Sequence, residues 1–186
     1  MKIVQNYAKF FFTAVARTVE VHQPIIETYY GPGRLTTVMN LLQVECDKQS
    51  SKIFNEFRTK RGIAEKVSQI RHFIYGSGTS NLEARELGQI LEEMAVLQAR
   101  SEMYFKFVKK KCASEDATKI QRQILTCGLS QSVQELMSEY ILFEEYYMTQ
   151  NIRKAVQQVR KNSRKVNFLK FNFSSLRHQC ISTPRK

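Results

Sequence analysis

The chain has 186 residues, enough for one domain with a substantial core, and 42% of them are hydrophobic. It carries 29 basic and 17 acidic residues, a net charge of +12, but ten of the basic residues and none of the acidic ones follow Glu145. Residues 1–145 are therefore nearly neutral, which argues against a nucleic-acid binder with a basic surface throughout. No apolar segment approaches the ~20 residues of a membrane-spanning helix.

Two long amphipathic helices are predicted first. The first helix covers roughly residues 3–22 and ends near Pro24, with an apolar face of Val4, Tyr7, Phe11, Ala14, Thr18 and Val21. The second helix runs from Leu35 towards Arg61. Its apolar residues recur with an eleven-residue period, which favours packing in a bundle over pairing in a left-handed coiled coil.

A distinctive corner separates these helices. Gly31-Pro32-Gly33 forces a turn, and we expect Tyr29 and Tyr30 to be buried between the two helices. The turn lacks the Lys-Ser/Thr ending of a phosphate-binding loop, so we interpret it as purely architectural. The residues predicted to fix the angle of the corner are Pro24, Tyr29, Tyr30, Gly31, Pro32, Gly33 and Arg34.

Shorter and longer helices alternate through the rest of the chain. A short helix follows Gly62, and residues 76–80 form a flexible loop. Ser80-x-x-Glu83 and Ser132-x-x-Glu135 are capping-box patterns that predict the starts of two further helices. Between these, Ser114 caps a helix that ends at Gly128. Core positions are predicted at Leu87, Ile90, Met94, Leu97, Phe105, Val108, Ile120, Ile124, Val133, Leu136, Tyr140, Phe143 and Tyr147.

No candidate catalytic, cofactor or metal site emerges. His22 and His72 stand alone, and the four cysteines form no metal-binding pair, so reduced thiols are expected. Glu92-Glu93 and Glu144-Glu145 are adjacent on helices, where their side chains diverge, and we assign both pairs to solvated faces. We therefore expect an all-α protein that is not an enzyme and uses no cofactor or small-molecule substrate.

Four segments, the first two of them overlapping, resemble one family. The segments are HQPIIETYYGPGRLTTVMNLLQVECD, NLLQVECDKQSSKIFNEF, RELGQILEEMAVLQARSEMYFKFVKKK and QELMSEYILFEEYYMTQNIRKAV, in order between about Val15 and Val156. They are similar to the middle helical region of subunit four of the conserved oligomeric Golgi complex, a vesicle tether. The resemblance implies an elongated multi-helix bundle of the helical-rod type found in tethering complexes.

Function and partners are also expectations from this resemblance. It implies a scaffold in intra-Golgi retrograde vesicle transport, peripheral on the cytosolic face of the Golgi membrane. Its partners would be the other subunits of the complex and, at the family level, the SNARE machinery. The rival hypothesis is a small basic nucleic-acid-binding protein that uses the C-terminal residues.

The last thirty residues are predicted to be a separate segment. Residues 1–156 would form the bundle, and residues 157–186 a basic, disordered tail that diverges from the family, without a clear helical stripe. Three interpretations of this tail stay open: contact with an anionic membrane, contact with RNA, or an inert end. The candidate membrane or anion contacts are Arg160, Lys161, Arg164, Lys165 and Lys170. The divergence and the short length suggest a fragment or variant of a longer protein.

Overall fold

The structure is a computed structural model that describes residues 2–31, 34–76, 82–113 and 117–179, with side chains from residue 11 to residue 162 within these ranges except residue 117. Every regular element in this part of the chain is a helix, which confirms the all-α prediction. The bounds are α1 Lys2–Tyr30, α2 Arg34–Arg61, α3 Ile63–Tyr75, α4 Ala84–Lys111, α5 Ala117–Thr126 and α6 Gly128–Gln179.

Helix α1 is longer than predicted. It continues through Pro24 as far as Tyr30, so the expectation that Pro24 ends the helix is wrong. Proline removes one backbone N–H and crowds the preceding turn, but the Pro24 side chain is exposed, so these costs fall on the solvent side of the helix. One turn later the hydroxyl of Thr28 donates to the Pro24 carbonyl oxygen at 2.7 Å. The packing of α1 against α2 and α4 outweighs the local break.

Helix α2 runs antiparallel to α4. Gln43 of α2 pairs with Tyr104 of α4, and Arg61 of α2 pairs with Glu93 of α4. Between these two pairs the residue number increases along α2 and decreases along α4, so the two helices run in opposite directions. A break at Gly62, whose φ of 57° is left-handed, then ends α2 and begins α3.

Helix α1 runs parallel to α4. The Phe12 ring of α1 stacks on the Tyr104 ring with centroids 5.2 Å apart, and Lys111 Nζ at the end of α4 donates to Gln23 Oε1 at 2.8 Å. These contacts place α1 and α2 as an antiparallel hairpin on α4. The bundle thus follows from short connections between long amphipathic helices.

The core is apolar and continuous across α2, α3, α4, α5 and the start of α6. Its fully buried large side chains include Phe54, Ile63, Ile70, Leu87, Ile90, Met94, Leu97, Leu129, Leu136 and Phe143. Most predicted core positions of α4 are confirmed, as are Ile120 and Ile124 of α5. Val133, Tyr140 and Tyr147 are only half-buried.

The inward face of α1 differs from the prediction by about one residue. Phe12 and Val19 are buried, whereas Ala14, Thr18 and Val21 are exposed. Three consecutive phenylalanines near the start of α1 allow two apolar faces, and sequence periodicity cannot choose between them. The predicted side chains of Val4 and Tyr7 lie outside those that the structure describes.

Two predicted helix caps are wrong. Helix α4 begins at Ala84 with Glu83 as its N-cap residue and without a side-chain cap, and α6 begins at Gly128, which places Ser132 inside the helix. Ser80 and Ser114 lie outside the described residues. The start of α6 is positioned by a tertiary contact, the hydrogen bond from the Leu129 N–H to Asp47, which a local capping pattern does not contain.

The chain divides into two compact units, residues 1–144 and residues 145–186. The second unit continues α6, whose backbone is helical as far as Gln179. The division after residue 144 precedes the predicted boundary at residue 157, and the disorder expected beyond residue 157 stays a prediction. Residues 151–162 are all exposed.

Candidate interaction surface

The corner between α1 and α2 is a three-residue connection that begins at Gly31. Gly31 has a φ of 81°, a left-handed conformation that favours glycine, and a Cβ there would have no neighbour within 4 Å. Helix α2 resumes at Arg34, whose side chain is exposed. Pro32 and Gly33 lie outside the described residues. The corner is thus the turn of a helical hairpin, whose angle also depends on packing between the helices.

The two tyrosines of the corner lie on the surface. Tyr29 is 79% exposed and Tyr30 is 72% exposed, so the expectation that they are buried between the helices is wrong. Tyr29 continues a series of exposed apolar side chains, Val21, Ile25 and Tyr29, at steps of four residues. Residues four apart share one helix face, so α1 presents an apolar surface to solvent.

Two arginines near the end of α2 join three helices. The Arg61 guanidinium pairs with both carboxylate oxygens of Glu93 in α4, at 2.5 and 2.7 Å. Arg58 pairs with Glu135 and Glu139 of α6, at 2.9 and 3.2 Å. A paired guanidinium holds a carboxylate in a fixed geometry, so these contacts set the register of α2 against its neighbours.

Glu93 departs from its predicted environment. It is only 8% exposed, whereas its neighbour Glu92 is exposed as expected. Adjacent helix residues do diverge, but α4 is covered on the side of Glu93 by α2, from which Arg61 reaches it. The pair is therefore structural and gives no paired-carboxylate chemistry.

Asp47 of α2 caps the start of α6. Its Oδ1 accepts hydrogen bonds from the Leu129 backbone N–H at 2.9 Å and from Gln43 Nε2 at 2.8 Å. A carboxylate beside the first turn of a helix accepts a hydrogen bond from an otherwise unpaired N–H. Its negative charge also interacts favourably with the positive end of the helix dipole. The start of α6 is thereby fixed to the middle of α2, across a sequence separation of 82 residues.

The buried thiols are poorly suited to nucleophilic chemistry. Burial raises the pKa of Cys46 to about 11 and also raises the pKa of Cys127. A thiol with a raised pKa has little of the reactive thiolate form near neutral pH. Cys46 and Cys127 are free thiols, whereas Cys180 lies outside the described residues.

A shallow groove between α1 and α4 encloses about 210 Å³. Its lining is mainly apolar: Phe12, Thr13, Ala16, Arg100, Met103, Tyr104 and Phe107. A second space, between α2, α4 and α5, is about 10 Å³, no more than a single water molecule needs. Neither space brings together an acid–base pair or a nucleophile with its base.

His22 is an exposed residue of α1. His22 Nδ1 lies 2.9 Å from the Thr18 carbonyl oxygen, one turn earlier in α1. In the part of the chain described, no three His, Cys, Asp or Glu side chains are placed to hold a metal ion. Nor is any helix there long and apolar enough to span a bilayer.

Comparison with known proteins gives the family of this helical bundle. Residues 5–182 match the model of the COG4 transport protein, middle alpha-helical bundle. The chain belongs to the family of conserved oligomeric Golgi complex subunit 4. The match confirms the resemblance found in the sequence, and the matched range extends past residue 157.

Curated relatives named conserved oligomeric Golgi complex subunit 4 occur in animals and plants. The human relative is 40% identical over 161 residues, which cover 78% of this chain and 20% of the human protein. The relative from Drosophila melanogaster is 29% identical over 178 residues, covering 76% of this chain and 23% of the fly protein. The chain spans about a fifth of the length of these relatives. No solved structure matches significantly.

The predicted site residues are only partly brought together. Pro24, Tyr29, Tyr30, Gly31 and Arg34 all lie at the end of α1 or the start of α2. Arg160 and Lys161 are exposed on α6, while the side chains of Arg164, Lys165 and Lys170 lie outside those described. Sequence reasoning missed Arg58, Arg61 and Asp47, because single charged residues on an amphipathic helix carry no signal of a distant partner.

Proposed function

We propose that this chain is a non-enzymatic helical scaffold of the conserved oligomeric Golgi complex that acts in intra-Golgi retrograde vesicle tethering. The match of residues 5–182 to the middle bundle of that subunit supports the proposal most directly. The interhelical pairs of Arg58 and Arg61 add a physical reason, because a tether must hold its binding surfaces at fixed distances. A helix such as α2 spans about 40 Å at 1.5 Å per residue.

The other subunits of the complex are the proposed partners of the exposed α1 surface at Val21, Ile25 and Tyr29. Exposed apolar side chains on one helix face are typical of a protein contact. The corner residues Pro24, Tyr29, Tyr30, Gly31, Pro32, Gly33 and Arg34 would set the direction of this surface relative to α2. SNARE proteins are a further proposed partner at the family level, and no residue is assigned to them.

A peripheral position on the cytosolic face of the Golgi membrane is also part of the proposal. Exposed basic residues of α6, Arg160 and Lys161, support attraction to anionic lipids, and Arg164, Lys165 and Lys170 continue the basic series in the sequence. Each basic group near such a surface contributes about 1 kcal/mol at low ionic strength.

Affinity purification from cells tests the proposal. A tagged chain should co-purify with the other subunits of the complex and colocalise with Golgi markers. A second variant, which ends at Gln157, loses eight basic residues and no acidic one. This variant distinguishes the scaffold hypothesis from the rival hypothesis of a nucleic-acid-binding protein. The truncated chain should still co-purify with the subunits of the complex and should lose only salt-sensitive binding to RNA.

A core variant such as Phe54→Asp provides the matched control, because it should unfold the bundle and release every subunit. Recovery of RNA-processing factors, with no subunit of the complex among them, would reverse the conclusion. Failure of the Gln157 variant to retain any subunit, while it still folds, would count against residues 1–157 as the scaffold.

A further inference from the structure

Helix α6 carries an exposed apolar stripe in the second compact unit. The α6 stripe consists of Met148, Ile152, Val156 and Val159, whose exposed fractions lie between 44% and 64%. Their spacing of four, four and three residues places them within an arc of about 80°, at roughly 100° per residue. All four side chains are therefore exposed to solvent over much of their surface.

The sequence around the stripe follows a heptad repeat. Apolar or small residues recur at alternating steps of four and three, at Met148, Ile152, Ala155, Val159, Asn162, Val166, Leu169 and Phe173. The backbone of α6 is helical throughout this range. A narrow seam with β-branched residues at alternate positions and one polar Asn is typical of a helix that pairs with another helix.

The charge of this half of α6 limits the partner. Between residues 146 and 179 the sequence has eight basic residues and no acidic one. Pairing with a second copy would bring two such helices together, and like charges oppose that contact. A helix rich in Asp and Glu would be attracted instead.

The width of the stripe and the charges beside it favour a partner helix as its occupant. At roughly 100° per residue, Arg160 and Arg153 lie about 80–100° from Ile152 on one flank of the stripe, and Gln158 and Asn162 lie on the other flank. An arc of about 80° fits the narrow seam of a paired helix better than the wider apolar face of a helix that lies in a membrane interface.

We propose that the α6 stripe binds an acidic amphipathic helix of a partner protein. The partner packs its apolar residues against Ile152, Val156 and Val159, and its carboxylates lie in the field of the basic side chains of α6. The proposal names the partner chemistry for one surface of the proposed scaffold and in that sense rests on it. The binding itself requires only the isolated chain.

The test uses two designed helical peptides with the same apolar heptad seam. One peptide carries Glu at the positions that flank the seam, and the other carries Lys there. Fluorescence anisotropy with the full chain at about 50 mM salt should show at least tenfold tighter binding of the acidic peptide, and the difference should shrink as salt is raised.

Two variants separate the stripe from the charge. The double variant Ile152→Gln, Val159→Gln keeps the charge of α6 and removes the stripe. It should bind the acidic peptide at least tenfold more weakly than the unaltered chain at every salt concentration. Gln150→Ala with Gln157→Ala has the same seven-residue spacing on the opposite face and should bind as the unaltered chain does. Circular dichroism should show both variants as helical as the unaltered chain.

Three results would overturn the proposal. The first is equal binding of the acidic and basic peptides. The second is self-association of the full chain that the Ile152→Gln, Val159→Gln variant abolishes, which would make a second copy the occupant. The third is binding to vesicles of phosphatidylserine and phosphatidylcholine that the same variant abolishes. Any of these could occur while the chain still co-purifies with the complex, so the scaffold function is judged separately.

Discussion

At the scale of single residues, the structure separates side chains that look alike in sequence. Glu92 and Glu93 are neighbours, yet one is exposed and the other forms a shielded pair with Arg61. Tyr29 and Tyr104 are both aromatic helix residues, yet the first is on the surface and the second is in the core. The environment of a residue depends on which helix covers it.

The pair of Arg61 and Glu93 gives the first prediction. Arg61→Ala should lower the free energy of unfolding by about 3 kcal/mol, because it leaves a buried carboxylate without its partner. Chemical denaturation followed by circular dichroism measures this. Lys60→Ala is the control, since Lys60 pairs with Glu56 on the surface and should cost less than about 0.5 kcal/mol. Equal effects of the two substitutions would contradict the structural role of Arg61.

The corner tyrosines give the second prediction. Tyr29→Ser with Tyr30→Ser should change the free energy of unfolding by less than about 0.5 kcal/mol, because both side chains are exposed. Phe54→Ala, in the core, should cost about 4 kcal/mol in the same denaturation experiment. A loss from the tyrosine variant as large as that from Phe54→Ala would show that the tyrosines are buried after all.

The buried Cys46 thiol gives the third prediction, which concerns alkaline pH. Its pKa is about 11 in the folded chain and 9.0 without the protein environment. Below pH 9 the Cys46 thiol keeps its proton in both the folded and the unfolded chain. Between pH 9 and about 11 only the unfolded chain loses it, so stability should fall with a slope of up to about 1.4 kcal/mol per pH unit.

Denaturation of the chain and of Cys46→Ala across this pH range measures the contribution of the thiol. The variant is less stable at pH 7 because it leaves a cavity, but its stability should fall less steeply above pH 9. Parallel curves would disprove the assignment. Ellman's reagent should label Cys46 at pH 8 only after unfolding.

At the scale of helices, ends and breaks are decided by contacts from elsewhere in the chain. Helix α6 begins at Gly128, next to Asp47, four residues before the capping box at Ser132. Helix α1 passes through Pro24, where the local pattern predicts a stop. Helix α2, in contrast, begins and ends where its apolar periodicity predicts, because its apolar face has one clear orientation.

The cap at α6 gives the fourth prediction. Asp47→Ala should destabilise the chain by about 1 kcal/mol, because the Leu129 N–H loses its acceptor, while Asp47→Asn keeps an acceptor oxygen and should cost less. Glu45→Ala, which removes only a weak surface pair with Lys48, is the control. Hydrogen exchange at Leu129 should rise in Asp47→Ala alone; no change there would rule out the cap.

At the scale of the whole molecule, the basic residues are concentrated near the C-terminus, whereas the buried side chains that the structure describes lie earlier in the chain. Residues 158–186 contain eight basic residues and no acidic one, whereas the described side chains of residues 158–162 are exposed and add nothing to the core. Every buried side chain that the structure describes lies at or before Tyr146, in or next to the nearly neutral part of the chain. The basic part governs long-range attraction.

Truncation after Gln157 gives the fifth prediction. The melting temperature should stay within about 2 °C, because little apolar area is lost, while the salt concentration needed for elution from heparin should fall clearly. The control is Gln150→Ala with Gln157→Ala in the full chain, which should leave both measurements unchanged. A large drop in melting temperature on truncation would mean that residues 158–186 are part of the core.

The sequence by itself determined the all-α class, the family, the extents of α2 and α3 and the core face of α4. These properties depend on local periodicity and on segments similar to a known family, and both can be read directly from the amino-acid sequence. Only the tertiary structure decided the inward face of α1, the exposure of Tyr29 and Tyr30, the burial of Glu93 and the start of α6. Each depends on which distant helix covers a residue, and free energy gained from burial there exceeds the local preferences that sequence patterns record.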